Sequence, residues 1–304
     1  MPSSVSVVIP TIGRPSLHAA ILSALRQTVP VLEVVVASDS EEPLGIEKEY
    51  GGKVREIHIG PRAGGNVARN AGIRVARGDL IALLDDDDAW VPDKLECQLG
   101  QQYSRASGSG TDYWISATQA RHELKDQAFP SRLPARNEGM LDYLFVMKRL
   151  RKGAMVTSTL VFPRPLALEI PFDESLRFHQ DIDWLVAILD QYPRISWSVV
   201  PSVLTVAGDT PASVSKKIDV GPSLAWADKR LLLRPGTAYA DFLLTRMPMT
   251  KAVRLGNPAI ARVLRHLVRS RRLPSATALP FAFGLVVRNK ILNLRKPRSG
   301  EGSQ

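Results

Sequence analysis

Gly78-Asp79-Leu80-Ile81-Ala82-Leu83-Leu84-Asp85-Asp86-Asp87-Asp88-Ala89-Trp90-Val91-Pro92 decides the fold of this chain. Leu80 to Leu84 is a short, uninterrupted apolar run, the mark of a strand covered on both faces. It ends in four carboxylates, which repel one another unless something positive compensates them. Trp90 to Leu95 then leads from the acidic turn into a Pro-started helix. Upstream, Val5 to Ile9 is a β-branched run stopped by Pro10, and Glu33 to Ala37 is a second run ending at Ser38-Asp39-Ser40. Val54 to Ile59 makes a weaker third strand. Between these lie two helix candidates: one that Ser16 can cap, with Leu17, Ile21, Ala24 and Leu25 on one face, and one from Asn66 to Ala76. The second closes at Arg77-Gly78, where glycine suits a helix stop. Strands alternating with helices predict βαβ units: an α/β fold, doubly wound, with a mostly parallel sheet, helices on both faces and ligands at the strands' carboxyl ends.

Further along, Ser104 to Gly110 and Gln127 to Gly139 read as loops and Met155 to Phe162 as a strand. Trp184 to Leu189 reads as a helix, and Ile195 to Val206 as a strand pair broken by Pro201. A polar loop, Gly208 to Lys217, follows, and from about residue 221 the pattern is helical. Two domains are expected: 1–220, divided into a ligand-binding half, 1–100, and an acceptor-side half, 101–220, and then a basic helical extension, 221–304.

The 304 residues, 44% of them apolar, suffice for a globular core. The single cysteine, Cys97, excludes an intrachain disulfide and fits a reducing compartment. No charged leader precedes a long apolar run, and no run is long enough to span a bilayer, so a cytoplasmic protein is expected. The net charge of +10 is uneven: from Lys229 onward 16 Lys and Arg face only Asp241 and Glu301, a net of +14, and the rest sums to −4. In Ala259 to Arg272 the residues Ile260, Val263, Leu264, Leu267 and Val268 share one helix face, and Arg262, Arg265, Arg269 and Arg272 the opposite one. Such a helix either docks on an anionic inner membrane leaflet or packs on the domain with solvated arginines. Nucleic acid is not the expected partner, because few aromatics interleave the basic residues.

The chemistry converges on carboxylates. Asp85 to Asp88 suit Mg²⁺ or Mn²⁺, hard cations that take oxygen ligands and bring phosphate oxygens with them; a solvated acidic turn is the competing reading. Asp39 stands where a switch-point crevice meets a nucleotide, yet Ser-Asp-Ser is also ordinary turn chemistry. Arg69, in Gly64 to Asn70, either reaches a phosphate or belongs to a flexible loop and helix cap. Asp181 is either a general base or a helix cap. His179 has no second His or Cys at ligand spacing. No dinucleotide fingerprint and no phosphate-binding P-loop occurs.

Taken in order, Val5 to Thr11, Glu33 to Val36, Ala68-Arg69-Asn70, Gly78 to Pro92 and Phe172-Asp173-Glu174 resemble the family 2 glycosyltransferases with the GT-A fold, from the N-terminus to about residue 210. The resemblance implies inverting transfer of a sugar from a nucleoside-diphosphate sugar, UDP- or dTDP-linked, with a divalent metal, to a glycan or lipid-linked acceptor. By position it implies that Pro10, Thr11, Ile12 and Asp39 line the nucleoside pocket and that Arg69 lies near the donor. It assigns donor contacts to Asp85 and Asp86, the metal to Asp87 and the catalytic base to Asp181. Three positions depart from the pattern: Ile12 stands where members often carry an aromatic ring, Ser38-Asp39 where they often carry Asp-Asp, and Gln180 where Glu usually precedes the base. Two other readings compete: a sugar-phosphate nucleotidyltransferase, which lacks its Arg/Lys-bearing glycine-rich loop here, and a degenerate domain that only binds a sugar nucleotide.

Overall fold

A computed structural model describes residues 3–103, 113–124, 127–208 and 219–294. The expected loop from Ser104 to Gly110 and all of the polar loop beyond Gly208 lie outside these residues. The chain forms two compact units: Met1–Met140 with Gly153–Lys216, and Leu141–Lys152 with Lys217–Gln304. The second unit thus takes a stretch, Leu141–Lys152, that the sequence pattern groups with the acceptor-side half.

The first unit opens with β1 (Val5–Thr11), α1 (Leu17–Leu25), β2 (Glu33–Ser38), β3 (Val54–His58), α2 (Gly65–Val75) and β4 (Leu80–Leu83). After β5 (Asp88–Trp90) come α3 (Lys94–Tyr103), β6 (Trp114–His122), β7 (Ala128–Phe129), β8 (Val161–Pro163), α5 (Arg164–Glu169), α6 (Gln180–Gln191) and β9 (Ser196–Ala207). Among the described residues these strands build one sheet in the order β3-β2-β1-β4-β8-β6-β9-β5, with β7 on β6. It is parallel from β3 through β4 and again between β6 and β9, while β4–β8, β6–β8 and β5–β9 are antiparallel. Alternation along β1 explains the layers. Val5, Val7 and Ile9 join Ile21 and Ala24 of α1 and Leu95 and Leu99 of α3 in one core. Val8 points the other way, against Gly72 of α2, where an added Cβ would come 2.5 Å from its Cγ1.

Several local expectations change. Gly78 does not stop α2, which ends at Val75 with Ala76 as C-cap, two residues before it. Instead Gly78 lies on β1, where a Cβ would meet the Ser6 amide nitrogen at 2.6 Å. Ser16 precedes α1 without a side-chain cap bond. A short strand, β5, separates the acidic turn from α3. The stretch expected as one strand, Met155 to Phe162, coils into a 3-10 turn at Thr157–Thr159, and only Val161–Pro163 is extended. That turn supplies polar groups to the acidic strand, which a continuing ladder would have consumed. Ile195 to Val206 is not a pair but one strand, whose register against β6 shifts near Pro201, a residue that cannot donate to a ladder.

The second unit holds most of α4 (Met140–Phe145) and then α7 (Gly221–Arg230), α8 (Ala238–Thr245), α9 (Met247–Leu255), α10 (Asn257–Ser270) and α11 (Ala278–Leu294). Phe145, Trp226 and Phe242 meet with ring centroids 5.0 to 5.9 Å apart. Buried Asp241 ties three stretches together: it accepts from the Met147 amide at 2.8 Å and from the amide and hydroxyl of Ser275 at 2.7 and 2.6 Å. Among the described residues no helix is long and apolar enough to cross a membrane.

Candidate active site

The carboxyl ends of β1, β2 and β4 converge on the acidic turn, because parallel strands in register must end together. Four carboxylates in sequence would repel, and the structure gives them different partners. Asp85 accepts from Arg69 Nη2 at 2.8 Å, and its backbone N–H donates to Ser158 Oγ at 3.0 Å. Asp86, 1% exposed, accepts from Thr11 Oγ1 at 2.6 Å and pairs with Arg14. Arg14 Nη1 also lies 3.9 Å from Asp87 Oδ2. Asp88 accepts from the Gly208 amide at 3.0 Å. Burial raises the Asp86 carboxyl pKa against the pull of Thr11 and Arg14, and burial with the neighbouring charges of Asp85 and Asp87 pushes Asp88 up to about 7.

Gly208 closes this turn from the far end of β9. An added Cβ there would sit 2.0 Å from the Asp87 carbonyl oxygen, so only glycine lets the two backbones meet. Beneath them Trp90 Nε1 donates to the Ser158 carbonyl at 2.7 Å. Lys94 is fully buried, donates to Gln98 at 2.7 Å and lies 4.1 Å over the Trp90 ring. The 3-10 turn is therefore a polar floor for the acidic strand.

Arg69 is the organising cation. Its guanidinium spans three elements, reaching Asp85 after β4, Asn66 on its own α2 at 3.1 Å and Gln180 at the start of α6 at 2.8 Å. Asp181, half-buried, follows Gln180; burial raises its pKa, the Ile182 amide and Arg69 oppose the rise, and Asp85 adds to it. Sequence-predicted residues far apart in the chain therefore surround one charge. The pieces quoted together from the sequence also bond together: Asn70 donates to the Phe172 carbonyl and to Glu174, both at 2.9 Å, and accepts from the Phe172 amide at 3.0 Å.

The nucleoside-side residues divide. Pro10 is buried within β1, and Thr11 is spent on Asp86. Asp39 holds the loop ahead of α2, accepting from the Ala63 and Gly64 amides at 2.7 and 2.8 Å. Ile12, just beyond β1, is 57% exposed. Sequence reasoning did not single out Arg14, Ser158 or Asn66; Arg14, four residues beyond the strand-ending Pro10, was the one with a positional signal.

Among the described residues no cluster of three or more His, Cys, Asp or Glu is built to cage a cation. Asp87 lies in the turn beside the Asp86–Arg14 pair, its Oδ2 3.9 Å from Arg14 Nη1.

Residues 6–137 match the family model described as glycosyl transferase family 2. The amylovoran biosynthesis glycosyltransferase AmsB of Erwinia amylovora is 32% identical over 192 residues, 59% of this chain and 62% of that protein. The putative teichuronic acid biosynthesis glycosyltransferase TuaG of Bacillus subtilis is 30% identical over 120 residues, 37% of this chain and 48% of its own. The chain thus spans less than two thirds of these relatives' lengths. A crystal structure of S. aureus TarS residues 1–349 in complex with UDP-GlcNAc covers 94% of this chain and 89% of its own with a TM-score of 0.65, at 15% identity, a likeness of fold. The strand order, the acidic turn and the matched segment agree: residues 6–137 carry the pattern of the family 2 glycosyltransferases, on a fold like that of TarS.

Proposed function

We propose that the chain transfers a sugar from a nucleoside-diphosphate sugar to an acceptor hydroxyl with inversion. The observation that carries this is the Arg69 guanidinium, which joins the donor-side carboxylate Asp85 to the helix start that presents Asp181. Asp181 takes the proton from the acceptor O–H, and that oxygen forms the new bond at the anomeric carbon while the bond to the diphosphate breaks on the opposite face. A carboxyl whose pKa burial has raised is a stronger base once ionised. Arg69 and Arg14 hold positive charge where the leaving group's charge develops. Asp87 would hold Mg²⁺ or Mn²⁺, which supplies Lewis-acid neutralisation of the diphosphate.

The TarS complexes with UDP-GlcNAc and UDP support a nucleotide-sugar donor, and we take its carrier to be UDP or dTDP. AmsB and TuaG support polysaccharide biosynthesis as the setting; within that setting we take the acceptor to be a glycan or a lipid-linked sugar at the cytoplasmic face of a membrane. Donor hydrolysis tests the reading without knowledge of the acceptor: purified protein, a panel of UDP-, dTDP- and GDP-sugars, Mn²⁺ or EDTA, and released nucleoside diphosphate as readout. EDTA-sensitive release that Asp87→Ala abolishes, and that Asp181→Asn lowers by about 10²-fold or more without loss of nucleotide binding, is the expected result. Intact donors together with no metal-dependent thermal stabilisation would mean that the domain does not transfer sugar.

A further inference from the structure

Over Ala278 to Val287 helix α11 carries no polar side chain, a composition that belongs to a helix covered on every side. Its inner face is covered: Ala278 and Ala282 are buried, Phe281 lies under Lys152 at 4.3 Å, and Asn289 donates to the Val253 carbonyl at 2.8 Å. Its outer face is not. Leu279, Phe283, Val287 and Ile291, four residues apart and therefore in line along the helix, are 53%, 72%, 38% and 45% exposed. On α10 only Val263 of the expected apolar face is buried, and Leu264 and Val268 are 41% and 75% exposed. That helix therefore packs through part of its apolar face and leaves the rest outward.

The charge beside these residues names the occupant. Exposed basic residues adjoin the exposed apolar ones in the chain: Arg265 after Leu264, Arg269 after Val268, Arg288 after Val287 and Lys290 before Ile291. Between Asp241 and Glu301 the sequence has thirteen Lys and Arg and no Asp or Glu. A second copy bringing the same face would set arginine against arginine. A bilayer rich in anionic headgroups supplies both halves of the match, acyl chain for the apolar row and phosphate for the guanidinium groups. With 17 residues α11 extends about 25 Å, short of a hydrocarbon core of about 30 Å, so it lies in the interface rather than crossing it.

We infer that the outer faces of α11 and α10 form a docking surface for an anionic lipid bilayer. This deepens the membrane-face location given above and does not depend on the transfer chemistry. The test is vesicle flotation of the full chain with phosphatidylcholine alone and with added phosphatidylglycerol, at low and high salt. The wild type is expected to float only with the anionic vesicles and to be released by salt. Arg265→Gln/Arg269→Gln/Arg288→Gln is expected to weaken partitioning roughly a hundredfold, and Phe283→Ser/Val287→Ser roughly tenfold. Both variants alter exposed side chains, and both should retain the wild-type unfolding temperature and solution donor hydrolysis. Absence of flotation, or equal flotation with neutral vesicles, overturns the inference. So does a concentration-dependent dimer in solution that Phe283→Ser/Val287→Ser dissolves, since the occupant would then be a second copy. A wild type that floats yet hydrolyses no donor upholds the docking surface and removes the transfer reading instead.

Discussion

At the scale of single residues, the site is a problem of placing negative charge, and Gln180 is the departure from the family 2 pattern that bears on it most directly. Its amide oxygen accepts from Arg69 Nη1 at 2.8 Å, the place where a carboxylate would make an ion pair. A neutral acceptor leaves the guanidinium's charge to Asp85 and adds no negative charge beside Asp181. Gln180→Glu is therefore expected to raise the Asp181 pKa beyond what burial already does, since a like charge disfavours ionisation. The base must be ionised to work, so activity lies above its pKa and is lost as pH falls through it. The acid limb of the kcat/KM profile should move to higher pH in the variant, with the plateau at alkaline pH kept to within about threefold; an unmoved limb would mean that Asp181 is not the titrating base. The Asp run and Asp39 stood out in the sequence because each follows a recognisable strand, whereas Arg69 and Asp181 were singled out by the resemblance. Arg14, Ser158 and the Gln180 contact were not, since their partners lie 72, 73 and 111 residues away and only the folded sheet brings them together.

At the scale of elements, the N-terminal half was readable because one rule, apolar runs alternating with helical patterns, governs all of it. The rule weakens after α3, where antiparallel and parallel pairs mix in one sheet and the 3-10 turn at Thr157–Thr159 interrupts what reads as a strand. That turn exists for its polar groups: Ser158 Oγ receives the Asp85 amide and its carbonyl receives the Trp90 indole. β9 was legible as extended chain, but its closing contact with the acidic turn was not. Gly208 is the element-scale test of that contact. An added methyl meets the Asp87 carbonyl oxygen at 2.0 Å, and backbone cannot rotate away as a side chain would. Gly208→Ala should cost about 1–3 kcal/mol and weaken metal-dependent donor hydrolysis, because relief requires displacing Asp87 or breaking the Gly208–Asp88 bond. Gly100, inside α3 with open space at its Cβ position, is the control. There alanine should stabilise by about 0.5–1 kcal/mol, so thermal melts of the two variants should move in opposite directions.

At the scale of the molecule, composition divides the chain more sharply than any single element does: the basic surplus falls in the second unit and the acidic turn in the first. The helical pattern from about residue 221 was visible in the sequence, whereas the membership of Leu141–Lys152 in the same unit was not. Its attachment runs through backbone groups that carry no sequence signal. The Met147 N–H reaches Asp241 across 94 residues, and the Met147 carbonyl accepts from Thr277 Oγ1 at 2.8 Å. Asp241 is fully buried, and its carboxylate joins that stretch to α8 and to Ser275 ahead of α11. Asp241→Ala removes the acceptor from three donors at once, the Met147 amide and the amide and hydroxyl of Ser275. Each bond to a charged acceptor contributes about 1.5–3 kcal/mol, and shared relaxation makes the sum smaller than three separate losses, so a cost of about 3 kcal/mol or more is expected. Native-state hydrogen exchange locates the damage: amides of Met147, Ser275 and α8 should lose protection, while β1, β2 and β4 keep theirs because none of their hydrogen bonds involves Asp241. Equal loss in both units would show instead that the molecule unfolds as one cooperative body, with Asp241 a determinant of the whole rather than of the helical unit.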